Sequence, residues 1–174
     1  MIAFLEILKY ILPALVVFAT VYYLVDAQFK QQLRILQQQQ RLEAQKLTLP
    51  LKLQAYERLI LLCDRLSLDQ LLLRVRGAGM TVGELQGALL IAISQEFDHN
   101  VTQQLYVSDT LWQIISFTKT ELMALVTKAE EGLDVSASDE MLVHRLLLVQ
   151  EQLGAANPLL KTQIAIRTEA GNLF

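Results

Sequence analysis

The two histidines are the residues whose type and spacing come closest to a chemical site, because each follows a glutamate on a predicted helix. Glu96 precedes His99 by three residues, the Glu-x-x-His spacing that supplies metal ligands in ferritin-like di-metal bundles. Glu140 precedes His144 by four residues, which departs from that spacing. The alternative hypothesis for this chain is therefore a ferritin-like metal-binding bundle with four candidate ligands: Glu96, His99, Glu140 and His144.

A complete site of that kind also needs a carboxylate from each of two further helices, and Glu57 and Glu121 are the candidates. The competing interpretation is structural: Asp98 and His99 tie a helix end, and His144 lies on a solvated edge. Since only one of the two glutamate–histidine pairs has the regular spacing, we favour the structural interpretation and predict that the chain binds no metal.

Other catalytic patterns are missing from the sequence. Residues 77–79, Gly-Ala-Gly, lack the Lys-Ser/Thr continuation and the preceding strand of a phosphate-binding loop. No Gly-x-Ser-x-Gly nucleophile motif occurs. Cys63, the single cysteine, stands in an apolar helical stretch, where a small buried hydrophobe is expected rather than a nucleophile. We predict no catalytic residue, no cofactor and no enzymatic activity.

The composition is typical of an all-α protein. The 174 residues are rich in leucine, include 7 Gly and 3 Pro, and show no strand-like alternation bounded by turns. The formal net charge of −3 gives no electrostatic basis for binding nucleic acid. With the N-terminal apolar run set aside, enough chain remains for one compact domain.

An apolar run at the N-terminus is the element that organises the chain. It carries no charge from Tyr10 to Val25, and counted from Ile2 it offers about 24 residues, where a membrane-spanning helix needs about 20. We predict a transmembrane anchor at residues 1–26. Two alternatives remain: a cleaved signal peptide, since residues 25–27 fit a cleavage pattern, and a buried core helix of a soluble domain.

The next segment, residues 27–48, is rich in glutamine and free of Gly and Pro, so we predict a helical stalk that continues from the anchor. Its apolar stripe is too thin for a convincing heptad seam. Two interpretations stay open: a coiled-coil or partner-binding stalk, and a solvated extension. Basic residues follow the anchor more than they precede it, and the positive-inside rule then places the C-terminal body in the cytoplasm and the N-terminus outside. The residues concerned are Lys30, Arg34, Arg41 and Lys46.

Residues 49–174 are predicted to form a cytoplasmic α-helical bundle of about five helices. Pro50 marks the expected start, because proline is tolerated at the first position of a helix and disfavours helix in the residue before it. Apolar residues then recur at spacings of three and four, as on one buried face. These predicted core residues are Leu51, Ala55, Leu59, Leu62 and Leu66.

Side chains that can accept hydrogen bonds from free helix amides stand before four of the predicted helices. Two of them form capping boxes with a Glu or Gln three residues further on, and one is followed by proline at the first helical position. The predicted caps are Ser67, Thr81, Ser108 and Asn157. Asn100 is a candidate for a left-handed backbone at a bend, Gly132 and Gly154 are the expected stops, and residues 170–174 are predicted to fray.

Two stretches carry a resemblance to a known family. Residues 49–59 read Leu-Pro-Leu-Lys-Leu-Gln-Ala-Tyr-Glu-Arg-Leu, and residues 95–100 read Gln-Glu-Phe-Asp-His-Asn, followed at 103–108 by Gln-Gln-Leu-Tyr-Val-Ser. With these motifs the chain resembles a family of uncharacterised membrane proteins of Bacteroidota. The resemblance covers most of the chain and implies an N-terminal span, a Gln-rich stalk and a helical body, without an assigned activity.

The apolar excess of the body predicts a function in assembly. Leucine-rich stretches at 72–73, 89–91 and 146–149 are wider than one core stripe requires, so they favour an additional interface. We predict a non-enzymatic, single-pass structural or scaffolding protein of the inner (cytoplasmic) membrane, as a component of a membrane complex. Its expected partners are the lipid bilayer, through the N-terminal helix, and a protein partner or a second copy of the chain.

Overall fold

A computed structural model describes the backbone of residues 2–173 and the side chains of residues 11, 15–40, 42–43 and 45–173. The described backbone is all-α, as predicted, with an isolated bridge between Thr81 and Ser138 in place of any strand. Six α-helices follow one another: α1 (Ile2–Arg65), α2 (Leu68–Val75), α3 (Val82–His99), α4 (Asp109–Glu130), α5 (Glu140–Leu153) and α6 (Pro158–Gly171). Short 3-10 turns cover Val101–Leu105 and Gly154–Ala156.

The chain divides into two compact units, Met1–Thr48 and Leu49–Phe174. The first unit is entirely helical over its described backbone. The second unit, called the body below, contains the last turns of α1 and the five helices α2 to α6, which agrees with the predicted number of about five. Within the body, α3 packs against α2, α4 and α5, and α4 also packs against α6.

The predicted transmembrane anchor at 1–26 gains no support from the described residues. Within that part of the chain, no helical stretch combines the length and the apolar character that crossing a membrane requires. The side chains of residues 1–10 and 12–14, about half of the predicted anchor, lie outside the described residues.

The predicted helix boundary at Pro50 is wrong, because α1 continues through it to Arg65. Proline lacks the amide that would donate to the carbonyl of Lys46, and that missing bond normally makes a proline in a helix interior unfavourable. Both Lys46 and Pro50 are exposed, so water can solvate the unpaired carbonyl. The predicted burial of Leu51 is also wrong, since its side chain is 46% exposed.

The core of the body is formed by leucine-rich faces of the helices. In α1, Leu59 and Leu62 are 0% and 2% exposed, which confirms the face predicted from spacings of three and four. In α3, the same spacing buries Leu85, Leu89 and Ile93. Removing such side chains from water is the main driving force for packing the helices together.

Three of the four predicted caps are confirmed. Thr81 forms a complete capping box with Glu84, Ser108 accepts from the Leu111 amide at 3.1 Å, and the Asn157 side chain accepts from Leu159 at 2.9 Å. The prediction for Ser67 is only partly correct: the residue is at the N-cap position of α2 with an extended backbone, but its side chain accepts no hydrogen bond from the start of the helix.

The predicted bend at Asn100 is only partly correct. A 3-10 turn follows α3 there, but the backbone of Asn100 has φ −106°, outside the left-handed region. Gly132 and Gly154 do have positive φ, 74° and 43°, after the ends of α4 and α5. At the C-terminus, α6 reaches Gly171, further than the fraying predicted from residue 170.

The loop between α4 and α5 crosses the N-terminus of α3 and pairs with it. The Val82 amide donates to the Ala137 carbonyl at 2.9 Å, and the Gly83 amide donates to the Val135 carbonyl at 3.1 Å. These bonds satisfy two of the amides that a helix start leaves free. A Cβ at residue 83 would clash with Val135 Cγ1, so glycine lets the loop approach α3 this closely without displacing that side chain.

Candidate functional site

A cleft of about 380 Å³ in the body contains two of the four candidate metal ligands. Residues of the end of α1, of α2 and of α3 line it: Arg65, Arg74, Val75, Ala92, Gln95, Glu96 and His99. Among these side chains, two guanidinium groups face one carboxylate, with an imidazole at the exposed rim. We refer to this place as the arginine cleft.

Glu96 is held by both arginines of the arginine cleft. Its Oε1 accepts from Arg74 Nη1 and lies 3.3 Å from Arg65 Nε. Arg74 also donates to two backbone carbonyls, that of Gln70 at 3.3 Å and that of Arg65 at 2.7 Å. The pair of arginines thus joins the end of α1, α2 and α3, and the Glu96 carboxylate serves charge pairing within the fold.

The other candidate ligands are not gathered around Glu96. His99 is exposed at the rim of the cleft, and Glu140 and His144 are exposed on α5. The two further carboxylates of the hypothesis, Glu57 and Glu121, are exposed on α1 and α4. Over the described residues, no group of three or more His, Cys, Asp or Glu side chains is arranged to hold a metal ion.

The polar segment at the end of α3 makes several contacts within the body. Asn100 is 7% exposed, and its side-chain amide donates to the Glu96 carbonyl at 2.8 Å. Asp98 lies 3.8 Å from Lys119, whose ammonium group is 4.5 Å from the centre of the Phe97 ring. These contacts fasten the end of α3 to its own last turn and to α4.

A second polar cluster joins α1, α4 and α6. The Glu169 carboxylate accepts from the Tyr56 hydroxyl at 2.9 Å, from the Ser108 amide at 2.8 Å and from the Ser108 hydroxyl. Ser108 Oγ in turn accepts from the Leu111 amide as the cap of α4. The carboxylate therefore ties the C-terminal helix both to α1 and to the start of α4.

The electrostatics of this cluster favour an ionised glutamate beside a neutral phenol. Burial, together with the hydrogen bond and the negative charge of Glu169, raises the pKa of Tyr56 from 10.0 to about 12. Burial also raises the pKa of Glu169, but the hydrogen bonds from Ser108 and Tyr56 and the charge of Lys52 outweigh it, so the pKa lies below its usual value. Ser108 is occupied as cap and donor, so the arrangement suits structural tethering better than nucleophilic chemistry.

Glu169 was not singled out by the sequence analysis. A signal was present, because a glutamate in the last turn of a helix faces the negative end of the helix dipole and calls for a compensating partner. What the sequence does not contain is the partner's identity, since Tyr56 and Ser108 lie far away along the chain.

The first unit presents a different kind of surface, formed by exposed apolar side chains. Every side chain from Leu15 to Val25 is exposed, including Phe18 at 70%, Tyr22 at 68% and Tyr23 at 72%. These residues cover all sides of the helix, as consecutive positions differ by about 100°. In proteins generally, apolar surfaces of this extent are found where a chain contacts lipid or another protein.

Comparison with known proteins relates the chain to a family but to no described activity. Residues 2–173 match the model of a family of unknown function, DUF7935. Neither the curated proteins nor the solved structures contain a match to the chain.

Proposed function

We propose that this chain, which belongs to the family of unknown function DUF7935, is a non-enzymatic interaction protein anchored in a membrane through its N-terminal helix. The observation that carries the proposal is the exposure, all around the helix, of the charge-free run from Leu15 to Val25. Counted on the sequence from Ile2, the run reaches about 24 residues, enough for a bilayer. The resemblance to membrane proteins of Bacteroidota supports the same assignment.

Exposure of these side chains to water carries an energetic penalty that lipid removes. The transfer of each large apolar side chain from water to an apolar environment is favourable by about 1.5–3 kcal/mol of free energy. Such a run therefore favours the lipid interior over water strongly. The body then serves as the part that holds other components of a membrane complex, and no catalytic or cofactor role is assigned to it.

Alkaline carbonate extraction of membranes tests the anchor. The full chain should stay in the membrane pellet. Val17→Lys combined with Val21→Lys should move most of it to the supernatant, because a lysine at the centre of a span costs about 2.5–3.5 kcal/mol. The matched control is Ile35→Lys with Leu42→Lys, which alters two similarly exposed apolar residues outside the run and should leave the chain in the pellet. Extraction of the unmodified chain would refute the anchor.

The proposed location is the inner (cytoplasmic) membrane, with the N-terminus outside and the body in the cytoplasm, because the basic residues follow the apolar run. A cysteine introduced at Gln38 should remain unlabelled in intact cells by a thiol reagent that cannot cross membranes, and should react after the cells are opened. Labelling in intact cells would reverse the orientation.

A metal assay separates the proposal from the ferritin-like alternative. Elemental analysis of the purified chain should find no stoichiometric iron, manganese or zinc. Near-stoichiometric metal that disappears in His99→Ala would instead favour the metal-binding bundle.

A further inference from the structure

The first unit carries an apolar stripe that repeats every eleven residues. It consists of three interleaved series: Val25, Leu36 and Leu47; Phe18, Phe29 and Gln40; and Tyr22 with Leu33. All of its apolar members are exposed, from 47% at Val25 to 75% at Leu47. We refer to these eight residues as the eleven-residue stripe.

A seven-residue repeat does not describe the same side chains. Extended in both directions from Phe29 and Leu36, a heptad seam would include Asp26 and Glu43, two carboxylates in an apolar contact. The eleven-residue stripe contains none of the charged residues between 26 and 46. A repeat of that length has about 3.67 residues per turn, and helices that pack along it form a right-handed supercoil.

We propose that the eleven-residue stripe is the contact between two copies of this chain, parallel and in register. Continuous packing requires a partner helix with the same period, and a second copy has it by identity. The proposal rests on the proposed function only in that the chain is an interaction protein, and it deepens that function by naming a second copy as a partner.

Gln40 determines the direction of the pair. In a parallel pair in register, Gln40 of each copy faces the other, and a carboxamide can donate to and accept from an identical group. In an antiparallel pair with the stripe fully overlapped, Gln40 would face Val25, and a buried amide would lack a partner. A single polar layer of this kind is a known determinant of register in supercoiled helices.

Disulfide crosslinking of the full chain in its membrane or in detergent tests the contact. Leu36→Cys lies on the stripe, and Ile35→Cys is its matched control, since the two neighbours are 52% and 46% exposed but point to different sides of the helix. Mild oxidation should convert most of the Leu36→Cys chain to a disulfide-linked dimer, and several-fold less of the Ile35→Cys chain. The native Cys63 is 3% exposed, so the unmodified chain should not crosslink. Equal crosslinking of both variants, or none of either, would overturn the proposal.

Glu43→Cys and Leu47→Cys distinguish the two repeats. Position 47 belongs to both, whereas position 43 belongs to the heptad seam alone. The eleven-residue stripe predicts strong crosslinking at 47 and weak crosslinking at 43. Crosslinking at 43 as strong as at 47 would contradict the period.

The mass of the detergent-solubilised chain by sedimentation gives an independent readout. The unmodified chain should have the mass of a dimer, Leu33→Glu with Leu36→Glu that of a monomer, and the control Ile35→Glu with Leu42→Glu that of a dimer. A monomeric unmodified chain would refute the pairing.

Carbonate extraction of the same proteins reports membrane attachment separately from pairing. A monomer that stays in the pellet would refute the pairing alone. A dimer that is extracted would support the pairing and refute the anchor.

Discussion

Glu169 shows, at the scale of single residues, how one side chain can join three helices. It accepts from Tyr56 on α1 and from both the amide and the hydroxyl of Ser108 before α4. Hydrogen bonds to a charged acceptor are worth about 1.5–3 kcal/mol each, more than neutral ones. The cluster is thus a strong local contribution to the docking of α6.

The raised pKa of Tyr56 predicts a loss of stability at alkaline pH. A folded-state pKa of about 12 against 10.0 unfolded means that the stabilisation is fully present below pH 10 and is lost as pH rises toward 12. Tyr56→Phe should lower the free energy of unfolding by about 1–3 kcal/mol near neutral pH. In urea titrations between pH 9.5 and 11.5, the free energy of unfolding of Tyr56→Phe should also fall less steeply with pH than that of the unmodified chain.

Two features control this comparison. Burial raises the pKa of Cys63 to about 12 as well, but this thiol is present in both proteins, so its contribution cancels in the difference. Tyr106→Phe, which removes a neighbouring phenol that does not donate to Glu169, should change the free energy of unfolding near neutral pH by less than about 0.5 kcal/mol. Identical slopes for Tyr56→Phe and the unmodified chain would show that the Tyr56–Glu169 bond does not form.

The arginine cleft predicts a second residue effect. In Glu96→Gln the two guanidinium groups lose their shared carboxylate, so the free energy of unfolding should fall by about 1–3 kcal/mol. Raising NaCl from 0.1 M to 1 M should recover part of the loss, because salt screens the remaining repulsion between the arginines. The control is Asp98→Asn on the same helix, whose carboxylate is 72% exposed and 3.8 Å from Lys119, and it should change stability by less than about 0.5 kcal/mol. A loss in Glu96→Gln that is insensitive to salt would argue against charge pairing.

At the scale of elements, the start of α3 depends on the loop that crosses it. Gly83 lies in the helix with ordinary φ, so alanine there should gain up to about 1 kcal/mol of helix propensity. The contact with Val135 opposes that gain, since the added Cβ would clash with Cγ1 of that side chain. Gly83→Ala should therefore destabilise the body by about 1–2 kcal/mol net.

A double-mutant cycle in denaturant checks this interpretation. Val135 is 54% exposed, so Val135→Ala alone should cost little. In the Val135→Ala background, Gly83→Ala should become neutral or stabilising, because the obstructing methyl groups are gone. Additive effects of the two substitutions would show that the loop does not approach α3 this closely.

At the scale of the whole molecule, the described residues that form the core of the body all belong to the second unit. Its buried cluster begins at Tyr56 and ends at Ile166. A chain shortened to residues 49–174 should therefore unfold in one cooperative thermal transition, with a midpoint close to that of the body in the full chain. It should also appear in the supernatant after carbonate extraction. A non-cooperative transition would show that the body needs the first unit in order to fold.

The sequence by itself determined the class of the fold, the buried faces of several helices and where some helices start. Spacings of three and four identified Leu59 and Leu62 as core residues, and caps such as Thr81 and Ser108 marked helix starts, because periodicity and capping act within a few residues of the chain. The same local rules were wrong at Pro50, where α1 continues, and only partly correct at Ser67, which is at the N-cap position of α2 without a capping hydrogen bond from its side chain.

Only the tertiary structure decided which distant groups meet. It paired Glu96 with two arginines instead of with His144, brought Glu169 to Tyr56, and placed Val135 against Gly83. These contacts depend on how α-helices pack around a shared core, and the packing balances burial, charge and steric fit over the whole body. A local pattern cannot include that balance, so the sequence could offer His99 and His144 as ligands of an alternative metal site, while only the structure shows that both lie on exposed surfaces.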